Sequence, residues 1–363
     1  MTRARLALIL AALCGAGLAA YLVADTGVQA VLAALRAAGW ATLAAVSLAH
    51  LVPTLLRGVG WRILFGAEAR VSWIGFIWAR WVREAVDNIL PILPVSGVLA
   101  GTRVLYAWGE RRAGASAVVD LTSELLGQAG FGLLGLALLL AIMPDDPRVL
   151  WAALGLAIIT AAFLGFLAAQ LGGLFRFLGR AIDWAWRRRR AAARGEPQGG
   201  RADVFHDHIQ GFYRRREAFI GSVLVHFVGW IASAMEVWLA LRLMGSGLAV
   251  TQALAIESLI FALRSVSFFV PWSAGIQESG YMVIGAIFGL SPEIALAISL
   301  LKRGRDLVLG VPVVLAWQVG EGHGMLKRWA GQTLVDLDSE RNGELPAGDA
   351  MARDQHIQGN TGS

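Results

Sequence analysis

The feature that most restricts what this chain can fold into is a series of apolar runs about as long as a bilayer core is thick. AVVDLTSELLGQAGFGLLGLALLLAI (Ala117–Ile142) and VLWAALGLAIITAAFLGFLAAQL (Val149–Leu171) are two of them. About 20 apolar residues in a helix cross roughly 30 Å of hydrocarbon. A helix also bonds its own backbone N–H and C=O groups where no water can. Composition agrees, with 56% of 363 residues hydrophobic and 16% charged, and a mean hydropathy of +0.60. These runs predict an all-α polytopic integral membrane protein with roughly six full spans, at 6–24, 40–56, 116–142, 149–171, 219–243 and 294–319, plus two hairpins. The run Leu6–Val23 after Arg3 and Arg5 is longer than a signal-peptide core and reads as an uncleaved first span.

Arginine sets the orientation. Of 32 basic residues 30 are Arg, and eleven lie between Gly172 and Glu217 against five acids, whereas the connection Pro144–Arg148 is PDDPR. Positive loops stay in the cytoplasm, so the first connection is inside, the second is outside, and both termini are cytoplasmic. The chain divides into an N-terminal span (1–40), a first membrane half (41–171), an Arg-rich cytoplasmic loop (172–217), a second half (218–330) and a disordered acidic tail (331–363) with six acids and two bases. ARGEPQGGRAD (Ala193–Asp203) reads as a flexible linker within the loop. The net charge of +6 sits in loops that flank spans, which argues against nucleic acid as a partner. The lone Cys14 excludes a disulfide framework and a cysteine metal site. Trp61, Trp73, Trp78, Trp81 and Trp108 read as an aromatic belt at the cytoplasmic entrance of the first hairpin.

The hairpins are the two segments broken by Pro and Gly. One runs 73–110 and contains PILPVSG (Pro91–Gly97), and the other runs 250–292 and contains VPWSAG (Val270–Gly275). The charge rule makes them enter from opposite sides. A broken helix at the same place in each half is the sign of an inverted-repeat transporter with its site near the midplane. Helices restart at Ser96 and Gly97 and at Ser273 and Gly275, where free N–H groups and a positive dipole end suit an anion. Glu278, three residues past Gly275, offers the alternative of capping those groups itself.

Charges inside the apolar segments are the candidate site. Arg80, Arg83, Glu84 and Asp87 share one helical face and allow the i,i+4 pairs Arg80–Glu84 and Arg83–Asp87; the face either lies at the interface or lines a polar cavity. Asp120 and Glu124 are like charges within a span, with Arg103 or the basic cluster of the other half as expected partners, in a structural or a charge-coupling role. Lys302, Arg303 and Arg305 lie in the apolar run Ile294–Val319, and Asp306 can pair with Lys302 or Arg303, which leaves at least one cation over. That surplus, with Arg264 and Arg103, supplies candidate anion partners. Glu236 is expected to pair with Arg242 or Arg264, and Glu257 and Arg264 with Glu278 or each other. His50 and His226 read as hydrogen-bonded core residues rather than ligands.

Motifs of soluble catalysis are missing. No Gly precedes Lys302 or Lys327 as a phosphate-binding P-loop requires, and no H-E-x-x-H occurs. DVFHDH (Asp203–His208) reads as solvated polar residues rather than a metal site. No cofactor or metal is expected, and no enzymatic activity.

VREAVDNILPILPVSG, then TRVL, VVDLTSELLG, LRSVSFFVPWSAGIQE and KRGRD together resemble the flippase-like transmembrane region of lysylphosphatidylglycerol synthases, with closest likeness to the stand-alone bacterial branch associated with hopanoid biosynthesis. The likeness covers about Ala41 to Gly320. It places the family's turn and acid at Pro271, Gly275 and Glu278, and its first-half turn and following base at PVSG and Arg103. Ser273 and Ala274 stand near the family's Gly pair, and Val98 stands where an acid is common. Two-domain members add a soluble aminoacyltransferase domain, so the resemblance implies no aminoacyl-lipid synthesis by this stretch of sequence.

The expectation is therefore a lipid translocase of the bacterial inner membrane, moving a phospholipid or hopanoid-related lipid with an anionic or zwitterionic headgroup. Arg103, Arg264, Lys302, Arg303 and Arg305 would meet the headgroup near Ser96, Gly97, Ser273 and Gly275, with Asp120, Glu124, Glu278 and Asp306 as coupling or structural acids. The alternatives are a membrane-embedded enzyme that modifies headgroups and a non-catalytic scaffold that gathers lipid-biosynthesis proteins.

Overall fold

The computed structural model describes residues 28–89, 96–143, 147–172, 199–266 and 275–341, with Tyr21, Ala24, Asp145 and Ser273 besides. The tips Pro91–Val95 and 267–272, and all of the predicted first span except Tyr21 and Ala24, lie outside them. Among the described residues the regular elements are helices: α1 (Val28–Ile63), α2 (Trp73–Ile89), α3 (Ser96–Ala107), α4 (Ala113–Ile142), α5 (Arg148–Leu171), α6 (Gly199–Arg214), α7 (Arg216–Leu243), α8 (Val250–Val266), α9 (Ile276–Ile287) and α10 (Pro292–Arg341). The protein is a polytopic all-α membrane protein. Ala38–Ile63, Ala113–Ile142, Ala153–Leu171 and Arg216–Leu243 are long and apolar enough to cross a bilayer. They match four of the predicted spans. The predicted span 294–319 is helical too, but it carries Lys302, Arg303, Arg305 and Asp306.

One compact unit comprises Met1–Val311 and a second Pro312–Ser363. In the first, the halves repeat a pattern of lengths. A 17-residue limb, α2, is followed by the 12-residue limb α3 and then the long α4. A 17-residue limb, α8, is followed by the 12-residue limb α9 and then α10. Both short limbs end the same way. Gly109 (φ 98°) and Gly289 (φ 81°) take left-handed backbone, with Glu110 N–H donating to Leu105 O at 2.9 Å and Leu290 N–H to Gly285 O at 3.0 Å. This is the Schellman ending, which favours glycine because a side chain is strained at such φ.

Small residues let these helices approach, as in other membrane bundles. A Cβ on Gly58 of α1 would lie 2.7 Å from Ile77 Cα of α2, and one on Gly127 of α4 would lie 2.8 Å from Phe227 N of α7. One on Gly135 of α4 would overlap Ser258 of α8. An apolar core joins α7 to α10 around Leu241, Ile256, Ile260, Tyr281, Ile298 and Leu301. A smaller cluster of Phe131, Trp230, Ala234 and Phe261 ties α4, α7 and α8 together.

Three expectations are corrected here. The helix α6 begins at Gly199, so the linker reading fails for its last residues and DVFHDH is helical. The cause is the apolar face on which Ile209 and Phe212 are buried. Helix α10 runs to Arg341, beyond the predicted start of disorder at Gly331. Trp61 is fully buried and donates its indole N–H to Ser116 Oγ at 3.0 Å, so it is a packing residue and not part of an interfacial belt.

Candidate functional site

Helix α1 carries a polar stripe, Ser47, His50, Thr54 and Arg57, at the spacing of one helical face. Its members are buried, and His50, Thr54 and Arg57 find the partners on neighbouring helices that burial of such groups requires. Glu84 of α2 supplies most of them: His50 Nε2 lies 2.9 Å from its Oε1, Thr54 Oγ1 donates to its Oε2 at 3.1 Å, and Arg57 donates to it at 3.3 Å. Arg57 also donates to Ser233 of α7 at 3.2 Å and lies 4.7 Å over the Trp230 ring. On its other nitrogen His50 meets Glu236 of α7 at 2.7 Å. Glu236 in turn pairs with Arg305 of α10, which also holds Asp306. A chain of alternating charge thus links α1, α2, α7 and α10.

The face of α2 pairs outward and not along its own helix. Arg80 forms a bidentate pair with Glu124 of α4 at 2.8 and 2.6 Å. Arg83 bridges Asp120 at 2.9 Å and Glu124 at 3.0 Å. His226 of α7 adds a contact to Asp120 at 3.0 Å. The expected pairs Arg80–Glu84 and Arg83–Asp87 give way to these, because two buried carboxylates on α4 face the two guanidinium groups and planar forks match them geometrically. Neither Arg103 nor the basic cluster of the second half serves Asp120 and Glu124 in these pairs.

The second half repeats the limb-to-long-helix pair with its polarity reversed. Arg80 and Glu124 are 44 residues apart, and Glu257 of α8 and Lys302 of α10 are 45 apart and meet at 2.9 Å. Tyr281 of α9 completes the latter, accepting from Lys302 at 2.8 Å and donating to Glu257. Arg303 pairs with Glu278 at 2.8 Å. The expected surplus of cations on α10 therefore does not exist: Lys302, Arg303 and Arg305 reach Glu257, Glu278 and Glu236 on other helices. Glu236 takes Arg305 in place of Arg242 or Arg264, and Glu257 takes Lys302.

Both helix restarts are capped by protein carboxylates. Gly97 N–H donates to Asp87 Oδ1 at 2.9 Å and Gly275 N–H to Glu278 Oε2 at 2.8 Å. Glu278 also accepts from Ser299 Oγ at 3.1 Å. The capping alternative thus describes Glu278, and these two amides are engaged before any ligand arrives.

Some of these pairs, among them Arg80–Glu124 and Glu236–Arg305, border a cavity of about 280 Å³. Five cations (Arg57, Arg80, Arg264, Lys302 and Arg305) and five carboxylates (Glu84, Asp87, Glu124, Glu236 and Asp306) line it, along with His50, Asn88, Gln128, Ser233, Ser265 and Ser273. Of the sequence candidates, Arg264, Lys302, Arg305, Glu124, Asp306 and Ser273 are brought to it. Arg103 is exposed on α3. Ser96, Gly97, Gly275, Asp120, Glu278 and Arg303 lie outside the lining. Arg57, one residue past the predicted span 40–56, is buried at the cavity. The stripe from Ser47 to Arg57 is the signal that marks it. Among the described residues no group of three or more His, Cys, Asp or Glu side chains could hold a metal ion.

A helical bundle with two broken hairpins and a lined, charge-balanced cavity among its spans defines a polytopic membrane protein with an internal polar site. The chain belongs to the family of the lysylphosphatidylglycerol synthase TM region, whose model matches residues 5–313. Comparison with curated proteins finds no match to this chain.

Proposed function

We propose that the chain is a lipid translocase that carries a phospholipid or hopanoid-related headgroup between the leaflets of a bacterial inner membrane, with both termini cytoplasmic. The observation that carries this reading is the cavity lining, in which five cations and five carboxylates balance. A lining in which arginine and lysine match the carboxylates in number suits a zwitterionic headgroup, whose phosphate and ammonium each meet an opposite charge in low dielectric. Arg264 and Arg305 are the groups for the phosphate; Asp87 and Asp306 are those for the ammonium. A volume of about 280 Å³ holds a headgroup and not the acyl chains, which stay in lipid. The two halves, entering from opposite sides, would rock about this site. Membership of the lysylphosphatidylglycerol synthase TM region family supports lipid as the substrate class. The chain acts without a cofactor and without nucleic acid, alone or beside lipid-biosynthesis proteins.

The test is purified protein in liposomes with leaflet-specific detection of labelled zwitterionic phospholipid, anionic phospholipid and hopanoid. Faster movement of the zwitterionic lipid than in protein-free vesicles supports the reading. A change of lipid mass in place of leaflet identifies a headgroup-modifying enzyme, and no change of either overturns transport.

A further inference from the structure

His50 is held by a carboxylate on each ring nitrogen. Its Nδ1 lies 2.7 Å from Glu236 Oε2 and its Nε2 2.9 Å from Glu84 Oε1. A neutral imidazole has one donor and one acceptor nitrogen, and an ionised carboxylate only accepts. Two hydrogen bonds at these distances therefore require one proton beyond those of a neutral ring and two carboxylates, carried by the ring or by one of its acids. We infer that Glu84–His50–Glu236 is a proton-binding site whose loading and unloading drive the cargo step, an inference that rests on the transport reading above.

The surroundings fit a site that must both hold and release a proton. Arg57 of α1 lies 3.3 Å from Glu84, and Arg305 of α10 pairs with Glu236. Arg80 of α2, Glu124 of α4, Arg264 of α8 and Lys302 of α10 line the same cavity. Each carboxylate of the triad is thus shared between one guanidinium and one ring nitrogen, and Glu84 accepts from the Thr54 hydroxyl as well. Loss of the proton to water leaves a ring lone pair against a carboxylate, and that contact opens. His50 and Glu84 belong to the first half and Glu236 to the second, so opening at Glu236 removes one polar contact between the halves and leaves others, Arg57–Ser233 and Asp120–His226, in place. Protonation thereby biases a two-state contact between the halves. One proton enters from water on one side and leaves to water on the other, with no further reactant.

The test has two arms. In purified full-length protein with 15N-labelled histidine, the His50 signals, assigned by their loss in His50→Gln, are expected to show a protonated nitrogen on both sides of the ring at pH 7, or a neutral ring with a carboxylic acid band that disappears in Glu84→Gln or Glu236→Gln. A neutral ring with both acids ionised overturns the site whatever the lipid does. In proteoliposomes, an imposed pH gradient is expected to change the rate of zwitterionic lipid movement at least threefold, and the ratio of rates with and without the gradient falls to one in His50→Gln or Glu236→Gln. Wild-type movement that ignores the gradient overturns the coupling. A protonated triad in protein that moves no lipid upholds the proton site and instead refutes the translocase reading.

Discussion

Replacing Lys302 by Met separates two accounts of the charged stretch on α10 by the sign of the effect. Lys302 is 4% exposed, and its Nζ sits 2.9 Å from Glu257 and 2.8 Å from the Tyr281 hydroxyl. Glu257 is fully buried, and its remaining donor in this cluster is the Tyr281 hydroxyl. Met of similar length removes the cation and leaves a buried carboxylate behind, which costs about 3–5 kcal/mol. At roughly 2–4 °C per kcal/mol for a domain of this order of size, the melting temperature falls by about 10 °C. A surplus cation in an apolar span behaves in the opposite way: its removal relieves about 2.5–3.5 kcal/mol and raises the melting temperature. Thermal unfolding of the detergent-purified variants, followed by tryptophan fluorescence, reads the difference. Adding Glu257→Met to Lys302→Met is expected to return the protein to within a few degrees of the parent, since neither charge is then left alone. A Lys302→Met protein as stable as the parent, or more so, would refute the pairing and restore the surplus.

Gly135→Ala is expected to destabilise by about 1–3 kcal/mol in the same assay, because its Cβ would overlap Ser258 and push α4 from α8; Ser258→Gly in the same chain should recover part of that loss. Glu278→Gln breaks the ion pair with Arg303 and keeps an acceptor for Gly275 N–H, so the loss should be about 1.5–3 kcal/mol, smaller than for Lys302→Met. Reporters fused at Arg194 and at the C-terminus are expected to read cytoplasm, and one at Asp146 periplasm. A cytoplasmic signal at Asp146 would remove the inverted relation between the hairpins.

By itself the sequence determined the class, four of the described spans and the places where the hairpins break. Each of these is local: run length against bilayer thickness, and Pro and Gly against helix continuity. What only the tertiary structure decided is which charge meets which. Neighbours four apart on α2 are available in any helix, and the sequence therefore offers Arg80–Glu84. The folded bundle instead gives Arg80 to Glu124, 44 residues away, and Glu84 to His50 and Arg57 of α1. For the restart at Gly275 the sequence offers Glu278 as a cap three residues on, but for Gly97 it offers none, and only folding brings Asp87 across the hairpin to it. The physical reason is that a surface pair gains a few tenths of a kcal/mol from proximity along one helix, whereas a buried charge must be satisfied on every exposed edge. Those edges face other helices, so packing, and not spacing, chose the partners and with them the cavity.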